Sequence, residues 1–127
     1  MYKIAFIILL LTLFVGSVQA LECSEETFVR CVLGEAEDQP FIGKVAVAEA
    51  IRNRGHLKGV YGCQSPRSSL WSDKQRSLAR EAVRASKRSS ITDGSTHWES
   101  DRFKEPWWAS SMNKTVKIGN HQFYIEQ

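Results

Sequence analysis

Glu35 is the side chain whose position in the sequence is best suited to chemistry. It follows Phe28 by seven residues, Cys31 by four and Val32 by three. On a helix those spacings place it on the same face as its apolar neighbours. A carboxyl at the edge of a buried face is desolvated, and desolvation favours the protonated form. A proton-donating carboxylic acid is what cleavage of a glycosidic bond requires, because the departing sugar oxygen must be protonated. Taken alone, a glutamate near a helix end is more often structural or solvated than catalytic.

The last third of the chain supplies a second set of candidates: Trp98, Phe103, Trp107, Trp108, Phe123 and Tyr124, with His97, Asn113 and His121 among them. Aromatic faces stack on sugar rings and keep a polar handle; the same residues also suit the core of a small domain. His56, His97 and His121 are far apart and form no His-x-x-x-His pair, and no Cys-x-x-Cys occurs, so the sequence spells no metal site and calls for no cofactor. Neither a glycine-rich phosphate loop nor a Gly-x-Ser-x-Gly elbow is present.

The elements that must position these residues follow from periodicity and capping. Ser24 caps a first helix with Glu25 and Glu26 in its first turn and Phe28, Val29, Val32, Leu33 and Ala36 on its inner face. Gly34, a weak helix former inside that pattern, calls for a packing or conformational reason. Pro40 opens a second helix to Arg54, apolar almost all round and therefore central, which Gly55 ends. A loop covers His56 to Leu70. Ser72 caps a third helix over Asp73–Lys87 with Leu78, Ala82, Val83 and Ala85 inside. Asp93-Gly94 marks a turn, Thr96-His97-Trp98 a short strand, and Pro106 a helical turn through Trp107 and Trp108. Thr115–Ile118 and His121–Ile125 read as a hairpin on a Gly119-Asn120 turn. The fold class is α+β in one domain: about three helices and a short C-terminal β-hairpin.

Several of these blocks together resemble the SleB/CwlJ-type cell wall hydrolases. Gly34-Glu35-Ala36 with Pro40, Gly43-Lys44-Val45-Ala46-Val47-Ala48 and Arg52-Asn53-Arg54 are similar to that family's GEARGEP, GQVAVA and NRV motifs. Gly59-Val60-Tyr61-Gly62, then Asp93-Gly94 with Thr96-His97-Trp98, then Trp107 or Trp108, and Ile118-Gly119-Asn120-His121 with Phe123-Tyr124 continue the likeness in order, over about Phe28 to Tyr124. The resemblance implies a small lysozyme- or lytic-transglycosylase-like fold and cleavage of the β-1,4 bond between N-acetylmuramic acid and N-acetylglucosamine. It gives Glu35 the acid-base role. One departure stands out: Gln39 occupies the place of the family's second motif glutamate, preceded by Glu37-Asp38 in place of Arg-Gly.

The chain has 127 residues, room for one domain. Lys3, the apolar run Ile4–Val15 and the order Val18-Gln19-Ala20 read as a signal peptide, residues 1–20, cut after Ala20. The run is too short to span a bilayer. The catalytic domain is expected over residues 21–127, secreted or periplasmic, with no stable membrane span after cleavage. Of the three cysteines, Cys23 and Cys31 are separated by about 12 Å of helix. Export then pairs Cys63 with one of the other two, or leaves all three unpaired. Between Arg52 and Arg88, ten basic residues face only Asp73 and Glu81. Such a stretch suits an anionic polymer or a solvated helix face.

These readings combine into a monomeric enzyme with peptidoglycan glycan strands, not nucleic acid, as its partner. Glu35 is the expected acid, and His97, Trp98, Trp107, Trp108, His121 and Tyr124 are the expected substrate contacts. The attacking group is either the substrate's own acetamido or C6 hydroxyl, or a water aided by Glu99 or Glu49 as second carboxylate. The rivals are a zinc amidase using His97 and His121 as ligands, and a non-catalytic wall-binding module.

Overall fold

The computed structural model describes residues 21–127. The expected signal peptide and its cleavage after Ala20 lie outside the described residues. Helix α1 spans Glu25–Ala36, α2 Phe41–Arg54 and α3 Asp73–Ala85. Strands β1 (His97–Ser100), β2 (Met112–Ile118) and β3 (His121–Glu126) form one antiparallel sheet in the order β1-β3-β2. The expected short strand therefore joins the hairpin: His97 pairs with Tyr124 and Ser100 with His121. Trp107–Ser111 is the expected single helical turn after Pro106.

The helix caps act as their residue types require. The Ser24 hydroxyl accepts from the Thr27 N–H, and Ser72 with Gln75 makes a reciprocal capping box. Gly55 closes α2 at φ 78°, in the left-handed region. The central helix is buried along Gly43–Ile51. It carries two buried charged side chains, each with polar partners. Lys44 Nζ donates to the carbonyls of Glu37 and Gln39, at 3.1 and 2.5 Å, and so closes the C-terminal end of α1. Glu49 accepts from the Ile91 and Thr92 N–H groups and from the Thr92 hydroxyl.

Helix α3 buries Ala82 and Val83 as expected but departs from expectation on either side of them. Ala79, Ala82 and Val83 are buried, followed by Ser86, whereas Leu78 and Ala85 face outward. Both sets have helical spacing; the helix docks on α1 and α2 through its smallest residues, which permit close approach. Its expected end at Lys87 is a tighter 3₁₀ turn over Ser86–Arg88.

The disulfide joins Cys31 to Cys63 with Cα atoms 3.8 Å apart, and Cys23 is a free, half-buried thiol. Two glycines explain how the 3₁₀ turn Tyr61–Gln64 comes so near α1. A Cβ on Gly34 would lie 1.9 Å from the Gly62 carbonyl oxygen, and one on Gly62 would lie 2.5 Å from the Glu35 nitrogen. The packing reason demanded by Gly34 is this backbone-to-backbone contact.

The basic stretch is largely consumed by the fold. Arg80 and Arg84 pair with Glu26 and Glu25, and Arg67 with Glu37. Arg52 donates to Ser86 and the Val83 carbonyl, and Arg76 donates to Ser68 and lies over Trp71.

Candidate active site

Glu35 sits in the last turn of α1, where its side chain leaves the core for a cleft of about 990 Å³. One carboxyl oxygen accepts from the Gly62 N–H at 3.1 Å. Burial pushes its pKa above the ordinary 4.5. The Gly62 N–H, the Trp98 indole and Arg54 oppose that rise, while the negative charge of Glu99 adds to it. The acid is thus held at a fixed place by a backbone donor and kept proton-rich by desolvation.

The cleft runs between the α1 end and the loop after α2 on one side, and the edge strand β1 with the Trp107 turn on the other. It brings together Glu35, His97, Trp98, Trp107, Trp108 and His121. Tyr124 is not among its lining residues. It is buried, with its ring edge against Trp108 at 5.1 Å between centroids, and borders a smaller hollow behind the sheet. Its place is behind Trp108, because β3 is the middle strand and both its faces are covered.

His97 accepts from or donates to the Thr96 hydroxyl at 2.8 Å and leans on Trp108. His121 is buried with its Nδ1 lacking a protein partner. Burial lowers the pKa of both rings. The register puts the two rings on opposite faces of the sheet, since His97 lies opposite Tyr124 and His121 opposite Ser100. Among the described residues, no three His, Cys, Asp or Glu side chains gather around a common point suited to a metal ion.

Of the two alternative carboxylates, Glu99 lines the cleft and Glu49 does not, being spent on the Ile91–Thr92 backbone. Gln39 is also outside it. Its amide oxygen accepts from the Asn120 N–H at 2.9 Å and its nitrogen donates to Asp38. The residue that departs from the motif therefore ties the α1–α2 turn to the hairpin turn.

Two more aromatics stand on the rim: Phe103, already among the candidate stacking residues of the last third, and Tyr61, which was not a site candidate. Tyr61 and Phe103 line the cleft and are 83% and 70% exposed, beside Trp107 at 89%. Unburied aromatic faces of this size have no packing role and are free to stack. The signal for Tyr61 was weak, a lone aromatic between Val60 and Gly62 in an expected loop. Arg54, Asn53, His56 and Lys58 complete the α2 end of the cleft.

The fold and the cleft define a class: a small α+β domain with a desolvated glutamate at a helix end and an aromatic-lined groove. No protein-family model and no curated protein matches the chain. Among solved structures, it is similar to the catalytic domain of the germination-specific lytic transglycosylase SleB from Bacillus anthracis, with TM-score 0.60 and 24% identity over 80% of this chain and 93% of that one. It is likewise similar to the catalytic domain of the Bacillus cereus SleB protein, with TM-score 0.60 and 23% identity over 86% of this chain and 97% of that one. The chain has the SleB catalytic-domain fold.

Proposed function

We propose that the protein cleaves the β-1,4 bond between N-acetylmuramic acid and N-acetylglucosamine in peptidoglycan, as a lytic transglycosylase with Glu35 as acid and base. The observation that carries this reading is the desolvated Glu35 carboxyl, fixed by the Gly62 N–H at the wall of an aromatic-rimmed cleft. The likeness in fold to a lytic transglycosylase catalytic domain supports the same chemistry. Glu35 gives its proton to the glycosidic oxygen as the bond to the muramic anomeric carbon breaks. The resulting carboxylate then takes the proton of the muramic C6 hydroxyl as that oxygen closes on the anomeric carbon. The products are a 1,6-anhydromuramic end and a free N-acetylglucosamine 4-hydroxyl, and Glu35 is again protonated. No nucleophile from the protein is required. Trp98, Trp107, Trp108, His97 and His121 are the substrate contacts, with Tyr61 and Phe103 added as stacking faces.

A hydrolytic muramidase is the second reading, favoured by one observation: Glu99 lies in the same cleft as Glu35. Mass spectrometry of digested peptidoglycan decides between them. Anhydro ends support the first reading. Reducing muramic ends, heavier by one water, support the second. Freed stem peptides mean an amidase, and no product at all means a binding module.

The reading places the enzyme outside the cytoplasmic membrane, exported through residues 1–20 and acting as a monomer. N-terminal sequencing of exported protein should begin at Leu21; a start at Met1 overturns that part. Among the described residues, no helix is long and apolar enough to cross a membrane.

A further inference from the structure

The two segments that bring Gly62, Trp98 and Glu99 to Glu35 meet at a residue that makes no hydrogen bond to it. Arg54 is the last residue of α2. Its Nε donates to the Thr96 carbonyl at 3.0 Å, and its Nη1 to the Lys58 carbonyl at 2.9 Å. Its guanidinium carbon lies 4.9 Å from the centre of the Trp98 ring. Thr96 leads directly into β1, which carries Trp98 and Glu99. Lys58 opens the short segment Gly59-Val60-Tyr61 that ends at Gly62, the N–H donor to Glu35. The turn at Gly59 takes a positive φ, 76°, and a Cβ added there would lie 3.6 Å from the same Nη1.

We propose that Arg54 is the positioning residue of the acid: one guanidinium fixes both loops that present partners to Glu35 and supplies the positive charge that its carboxylate needs between the two proton transfers. The catalytic half of this inference rests on the glycan-cleaving reading; the electrostatic half does not. Guanidinium suits the task because it is planar, forks to two carbonyls at fixed angles and lies flat on an indole, none of which an ammonium does. The charged groups facing Glu35 are Arg54 from the end of α2 and Glu99 from β1, with Gly62 and Trp98 as neutral donors. His56 and His97 lie near Arg54, and Arg54 opposes the protonation of His97. An acid that must also serve as base needs its anion tolerated but not preferred. Desolvation sets the first requirement against the second, and Arg54 restores part of the balance.

The test uses Arg54→Met and Arg54→Lys in the full exported protein. Two quantities are read: the titration midpoint of the Glu35 carboxyl carbon by NMR, and peptidoglycan turnover per folded molecule. Arg54→Met should raise the Glu35 midpoint and lower kcat by about 10²-fold, the scale of loss when a reacting group is displaced by about an ångström. Arg54→Lys keeps the charge, so its midpoint should stay near wild type, yet kcat should still fall because the fork and the stack are gone. An unchanged midpoint in the Met variant, or wild-type turnover in the Lys variant, overturns the proposal. Loss of thermal stability alone, with turnover per folded molecule unchanged, also overturns it. Should wild-type protein release no glycan product, the glycan-cleaving reading fails, while the carboxyl titration still decides the electrostatic claim.

Discussion

Glu35 carries opposed influences on a single proton. Burial favours the neutral acid; the Gly62 N–H, the Trp98 indole and Arg54 favour the anion. Glu35→Gln keeps the size and the hydrogen-bond acceptor but has no proton to transfer. It should fold and lose about 10²–10⁴-fold in glycan cleavage, the usual worth of general acid-base catalysis. Glu37→Gln, which removes only an exposed ion pair with Arg67, should remain active. Cleavage of purified peptidoglycan and thermal unfolding are measured on both variants, and near wild-type cleavage by Glu35→Gln would sink the assignment. At this scale the sequence told part of the story. The helical spacing from Phe28 to Glu35 announced a carboxyl at the edge of a buried face. Its Gly62 partner, 27 residues away, was invisible because that contact is made only by folding. The exposure of Tyr61 and Phe103 was hidden for the same reason, since whether an aromatic is buried is decided by tertiary neighbours.

Between elements, α1 meets the 3₁₀ turn Tyr61–Gln64 backbone to backbone at Gly34 and Gly62. Ala in place of Gly34 would gain about 1 kcal/mol of helix propensity. It would also drive a methyl into the Gly62 carbonyl, where backbone on both sides leaves nothing to yield cheaply. The overpacking cost, about 3 kcal/mol or more, wins. Gly34→Ala is therefore expected to be less stable than wild type in denaturant unfolding and to cleave more slowly, because the Gly62 N–H moves away from Glu35. A stability equal to wild type would show that the turn shifts freely. Capping and periodicity made the helices legible, and Gly119-Asn120 made the hairpin so, with Gly119 at φ 58° as a tight turn needs. On helix α3 the sequence found Ala82 and Val83 but chose Leu78 and Ala85 where the fold buries Ala79 and Ser86, because adjacent stripes fit the pattern equally well. Only docking against α1 and α2 chose the smaller set.

For the molecule as a whole, stability should be limited from both sides of the pH scale. Glu35 has its folded pKa raised, so its favourable contribution is complete below about 4.5 and is lost as pH rises through the folded value. His121 has its folded pKa lowered by burial, so its contribution is complete above about 6.5 and is lost as pH falls through the folded value. Relative to wild type, Glu35→Gln should therefore gain stability as pH rises from about 4.5, and His121→Asn should gain as pH falls from about 6.5. Urea midpoints across that range check both signs, and a flat difference for either variant rejects its burial argument. The Glu35 half of this was legible, since its spacing already put a carboxyl at the edge of a buried face; the His121 half was not, because which strand residues the packed domain withholds from water is decided by tertiary neighbours.

The Cys31–Cys63 bridge bears on the order in which the molecule is made. It closes within the first part of the domain, before any strand of the sheet has been reached along the chain. The end of α1, all of α2 and the segment through Gly62 therefore lie in one covalently closed loop. The wall bearing Trp98, Trp107 and Trp108 lies later in the chain and is tied to that loop through Asn53 to the Ser95 carbonyl, Arg54 to the Thr96 carbonyl and Gln39 to the Asn120 N–H. A chain threading outward through a membrane would thus fix its acid early and acquire its groove last. If the protein is exported and cuts glycan as proposed, competence would arrive only with the final hairpin, a built-in delay between emergence and action.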